Sequence, residues 1–139
     1  MGRQREWSAA ARVDNTTGLL PAPPARLTCC STDAAGCFFH GAAPLVVSQP
    51  GHSDAAAEAW RAAVATLRGW ERTVITTSDD DRAVATSEGG CHAYLHAECS
   101  TLLCGYVDDL ELRLRPAADG TGTVLAVRSA SRLGLWDFG

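Results

Sequence analysis

Two segments carry the residues that could do chemistry. Between Cys91 and Cys99 the chain places His92, Tyr94, His96 and Glu98 at every second position, and between Val107 and Arg115 it places Asp109, Glu111 and Arg113 in the same way. A histidine beside a carboxylate can pass protons, and a pair of histidines can hold a metal ion. The metal reading meets a geometric obstacle. His92 and His96 are four residues apart on what reads as a strand, which separates their Cα atoms by roughly 13 Å, whereas zinc draws its donors to within about 2 Å of one centre. No Ser-His-Asp order, glycine-rich phosphate loop or nucleophilic cysteine motif accompanies these residues. His96, Glu98, Asp109, Arg128 and Arg132 are therefore read as a candidate ligand or partner face. No catalytic residue, metal ligand or cofactor is assigned. The plainest form of such a face is a solvated one, where each cross-strand pair of opposite charges is worth about 0.2–1 kcal/mol.

The elements that must position these residues follow from the alternation. Cys91, Ala93, Leu95, Ala97 and Cys99 form an apolar row opposite the polar one, and Tyr106, Leu110, Leu112 and Leu114 form another after a short connection. A period of two marks half-buried strands. Matching the apolar rows restricts the register. One allowed register sets Cys99 opposite Cys104, which permits a cross-strand disulfide in an oxidising compartment. Another, two residues away, sets His96 opposite Asp109 and His92 opposite Arg113. Pro116-Ala-Ala-Asp-Gly120 is turn chemistry, and the β-branched run Thr123 to Ser129 returns as a third strand. Asp108 falls on the apolar side of its strand, and Arg128 is in phase with Val124 and Ala126. A buried charge is costly unless paired, so an internal ion pair is expected between Asp108 and Arg128, with Asp108 and Arg132 as the alternative.

Upstream, Ala56, Trp60, Ala63, Val64 and Leu67 recur at helical spacing. Ser53 or Asp54 is the expected cap and Gly69 the stop. Glu71 to Thr77 reads as a strand, Ser78-Asp79-Asp80-Asp81 as a solvated turn, and Arg82 to Ser87 as its hairpin partner. Asp79 to Asp81 lack the spaced oxygens, glycine and terminal glutamate of a calcium loop. Ala43 to Ser48 suits an edge strand. Cys29, Cys30 and Cys37 are compatible with a disulfide, with packed thiols or with a metal, although the spacing is not that of a zinc pair. Cys30, Cys37, Cys99 and Cys104 are the disulfide candidates. Before them, prolines 21, 23 and 24 impose extended backbone, and Trp7, Leu19 and Leu20 are candidate docking residues of an N-terminal arm.

The expected architecture is α+β, one main helix packed on an antiparallel sheet of four or five strands, with an irregular N-terminal arm. Residues 1–50 are assigned to the arm and 51–139 to the α+β domain. The meander is the simplest topology.

Three motifs in order, YLHAE, YVDDLELRL and VRSASRLGLWDFG, resemble the family catalogued as domain of unknown function 1499. The likeness is best from Trp60 to Gly139. Members usually open with a short Cys-Pro-rich segment ending in Asn-Cys, whose place is taken here by Cys30 to Cys37 without the proline or the asparagine. They usually continue past the final glycine into a basic helix. The resemblance implies a fold and no mechanism. The family's occurrence in bacteria and photosynthetic eukaryotes implies an organellar setting, chloroplast and thylakoid-associated.

Composition narrows the function classes. The 139 residues carry 12 basic groups, all arginine, against 16 acidic ones, for a net charge of −4, which argues against a nucleic-acid binder. No apolar run approaches the roughly 20 residues that span a bilayer. The function expected is a non-enzymatic accessory or structural subunit docking onto a larger protein complex, with a photosynthetic or other organellar membrane complex as its setting. The alternative is a small ligand-binding or enzymatic domain using the polar sheet face.

Overall fold

A computed structural model describes residues 19–20, 29–33, 43–49, 52–78, 84–85, 91–103 and 105–132. In chain order the elements are β1 (Cys29–Ser31), β2 (Leu45–Ser48), α1 (Ser53–Gly69), β3 (Thr73–Ser78), β4 (Val84–Ala85), β5 (Cys91–Ser100), β6 (Val107–Pro116) and β7 (Thr123–Ser131). The sheet runs β1-β7-β6-β5-β3, with β2 also on β7 and β4 on β5. Every pairing is antiparallel. Six strands make the main sheet and the two-residue β4 is an outlying pairing on β5. This is the expected α+β class with a larger sheet. The difference comes from the segment read as an arm, whose residues 29–31 and 45–48 extend the sheet along the free edge of β7.

β5, β6 and β7 are the expected meander. Among the described residues β3 and β4 do not pair as the expected hairpin; each pairs with a different stretch of β5. Both expected registers of the central hairpin are also overturned. Cys99 stands opposite Asp108, Glu98 opposite Asp109 and His96 opposite Glu111. Shifts of two residues keep each apolar row on its own face, so alternation cannot separate them. The loop decides. Thr101 N–H donates to the Tyr106 carbonyl (2.8 Å), and Tyr106 N–H donates to Thr101 Oγ1 (3.0 Å). Gly105 turns the chain at φ 62°, a left-handed conformation that suits glycine.

The helix is 17 residues long and starts at Ser53 itself, so the cap falls one residue before the expected Ser53 or Asp54, on His52, without a side-chain hydrogen bond. The helical stripe meets the sheet as its spacing predicts. Ala56, Trp60, Val64 and Leu67 are buried against Ala93, Leu95, Ala97, Leu112, Leu114 and Leu125, with Ala63 at the margin. A second glycine fixes where β2 meets β7. Gly122 has φ 135°, and a Cβ there would lie 1.9 Å from the Ser48 carbonyl oxygen.

Candidate functional site

The face of the sheet turned away from α1 holds the residues singled out for chemistry. The pleat puts Tyr94, His96 and Glu98 of β5, Asp109, Glu111, Arg113 and Arg115 of β6, and Ala126, Arg128 and Ala130 of β7 on this side. It is not the solvated face that composition suggests. Glu111 is 0% exposed, and His96, Asp109, Arg128 and Arg132 are each buried.

Burial on this scale requires partners, and they are present. Glu111 accepts a hydrogen bond from the Tyr94 hydroxyl on Oε1 (2.7 Å), and its Oε2 pairs with Arg128 Nη1. Arg132 grips Asp109 with both arms of its fork, Nε to Oδ2 at 2.8 Å and Nη2 to Oδ1 at 2.6 Å, and Nη2 also reaches Glu98 Oε1 at 2.6 Å. His96 Nε2 sits 2.7 Å from Asp109 Oδ1, and its Nδ1 is 2.7 Å from the Thr76 hydroxyl. Thr76 reaches the ring because β3 bulges between Ile75 and Thr77, which leaves an extra residue on the strand. Thr76 also lines an open cleft of about 420 Å³ with Arg68, Thr73, Ile75, Thr77 and Ser78.

The electrostatics follow from these contacts. Burial works to raise the Asp109 carboxyl, and hydrogen bonds from Arg132 and His96 overcome it, holding the group at about 2. The bonds to Asp109 push the Arg132 guanidinium above its usual value against the opposing effect of burial. Burial and the bond to Glu111 push the Tyr94 phenol upward. An Asp held at about 2, accepting three hydrogen bonds, is a fixed anion through the neutral range and a poor base. This set is built to hold charge in place.

His96, Glu98, Asp109 and Arg132 are thus in direct contact, and Arg128 lies beside them on Glu111. The expected Asp108–Arg128 pair is not formed, nor is Asp108–Arg132. Asp108 stands opposite Ser131 on the helix side of the sheet, whereas Arg128 stands opposite Glu111 on the other. The row shared by Val124, Ala126 and Arg128 is apolar in part, but it belongs to the second face. Cys30 and Cys99 carry free thiols and form no disulfide. Leu20 is buried within its own chain, so it is not a free docking residue. Its N–H donates to Asp33 Oδ2 (3.0 Å). Trp7, Cys37, Cys104, Asp79 to Asp81 and residues 133–139 lie outside the described residues.

Two contributors, Asp33 and Thr76, escape a sequence reading, and so does one pairing. Asp33 pairs with Arg115 (2.6 Å) from 82 residues away, and no local pattern announces that contact. Thr76 depends on the bulge. Glu111 and Tyr94 were visible in the alternating rows, and only the register made them a pair. Among the described residues no group of three or more His, Cys, Asp or Glu is placed to hold a metal ion, and no helix is long and apolar enough to cross a membrane.

Comparison with known families places the chain. The family model described as protein of unknown function (DUF1499) matches residues 20–139, and the chain belongs to that family. The match spans β1 to β7 and so includes the whole charged face. No curated protein and no solved structure matches the chain.

Proposed function

We propose that this protein is a non-enzymatic accessory subunit that docks onto a larger assembly through the tip of the β5–β6 hairpin. The observation that carries this reading is a pair of neighbouring leucines standing in water, Leu102 at 74% and Leu103 at 93% exposure. Tyr106 and Trp70 are also exposed, and they belong to the same end of the molecule. Arg72, two residues after Trp70, accepts the Ser100 N–H on its carbonyl (2.9 Å) and donates Nε–H to the Ser100 carbonyl (3.2 Å). Aromatic residues are common anchors at interfaces, and an apolar tip of this kind is costly to leave in water. Asp109, held at about 2, adds support, because a carboxylate so far below the neutral range is a poor general base. The setting proposed for the assembly is organellar and thylakoid-associated, as the family resemblance implies.

The test is the native size of the protein in a gentle detergent extract, read by gel filtration with antibody detection. Wild type is expected to elute with a large complex and the Leu102→Ser, Leu103→Ser variant near 14.6 kDa. Wild type eluting near its own mass sinks the reading. The ligand-binding alternative has one specific observation in its favour, the guanidinium of Arg113, which has no hydrogen-bond or ion-pair partner among the described residues.

A further inference from the structure

The charged face divides its pairs unevenly. Arg132 holds two carboxylates, Glu98 and Asp109, while Arg128 holds Glu111 and Arg115 holds Asp33. Arg113 is half-buried and has no hydrogen-bond or ion-pair partner among the described residues. The register shows why. Arg113 stands opposite Tyr94 on β5 and Ala126 on β7. Its diagonal neighbours on this face are His92, His96, Val124 and Arg128, none of them acidic. Along its own strand it has Glu111, whose two oxygens are already engaged, and Arg115. Asp33 also attracts it, but Oδ1 of Asp33 is held by Arg115 and Oδ2 by the backbone of Leu20.

A guanidinium cannot discard its proton to escape burial, and an unpaired, partly desolvated charge is unfavourable. The surroundings raise the demand for an anion. Burial and the neighbouring Arg115 both act against the charge on Arg113. Among the described residues, Arg115 Nε and Arg128 Nε are buried without a hydrogen-bond partner. His92 is held below its usual value by burial and then by Arg113, so its ring is neutral at pH 7 and adds no competing cation. The end of the face around Arg113 and Arg115 is therefore rich in unfilled N–H donors, in a chain whose net charge is −4. A planar fork of donors matches an oxyanion with two coplanar or tetrahedral oxygens.

We propose that Arg113, with Arg115 beside it, forms a binding site for an oxyanion, a carboxylate or phosphate group that no described residue supplies. This site is at the far end of the hairpin from Leu102 and Leu103, and it does not depend on the docking reading.

The test titrates the full chain with inorganic phosphate and with malonate at constant ionic strength, sodium chloride serving as the control for screening, and follows binding by calorimetry. A second arm measures co-sedimentation with phosphatidylcholine vesicles containing phosphatidic acid. Saturable binding is expected in at least one arm. Arg113→Gln should weaken it by roughly tenfold or more, the loss of one charge-assisted fork. Arg113→Lys should fall between, since it keeps the charge and loses the fork, and it carries the test if the Gln variant folds poorly. Arg61→Gln, an exposed change on α1, should leave binding unaltered. Binding of free phosphate or malonate identifies a soluble ligand, and Arg113-dependent binding to vesicles alone identifies a lipid headgroup. Absence of saturable binding in both arms, or binding equal in wild type and Arg113→Gln, overturns the proposal.

Discussion

On the helix side of the sheet, Leu95, Leu112 and Leu114 meet Trp60, Val64 and Leu67. On the other side, Glu111, Asp109, Arg128 and Arg132 meet one another at equal depth. The helix side is stabilised by area removed from water, which is non-directional and tolerates changes of similar volume. The charged side depends on every partner being present, because each charge left alone keeps its desolvation cost and loses its compensation. A substitution that preserves shape is therefore mild on one face and severe on the other.

The largest expected effect breaks the apolar face. Trp60→Ala should lower unfolding free energy by about 3–5 kcal/mol, read from the urea midpoint. Glu111→Gln tests the charged face at almost constant volume. It leaves Arg128 buried and unpaired, and a loss of about 3 kcal/mol is expected. The double replacement Glu111→Leu with Arg128→Met removes both charges and should recover most of that loss. If the single and double variants are equally unstable, the face is held by packing and the contrast fails.

Acid should open the charged side first. The Asp109 carboxyl is held at about 2 against an ordinary 3.8. Its folded value is depressed, so its contribution is fully present above about pH 4 and is lost as pH falls toward 2. Roughly 1–2 kcal/mol should disappear across that window, after allowance for screening. Asp109→Asn should flatten this part of the stability–pH curve. An unchanged slope would show that Arg132 does not hold the group in the ionised form. The smallest effect belongs to the hairpin tip, outside both faces. Leu103→Ser should change stability by less than about 0.5 kcal/mol, while under the proposed docking reading it shifts the protein from the large-complex fraction toward its own mass in gel filtration.

Much of this architecture was legible. The helical stripe from Ala56 to Leu67 named its own buried face, and the alternation of β5 and β6 separated the apolar row from the charged one correctly. Pairing was not legible. Asp108 looked like the buried acid because it broke its row, yet it is half-buried on the helix side. Glu111, which obeyed its row, is the acid with no exposure at all. The alternating pattern says which residues share a face, and it is silent on whether that face is wet.

Sequence by itself determined the class of fold, the helix, the three long strands and the parity of their side chains, because these depend on local periods of 3.6 and 2. Tertiary structure decided the register, since shifts by two residues keep the parity and only the Thr101–Tyr106 loop distinguishes them. It also decided that the charged face is buried and that Asp33, far upstream, completes it. Ion pairs form between whatever charges the folded chain brings together. Which charges those are depends on strand order and loop length, and no local pattern encodes either.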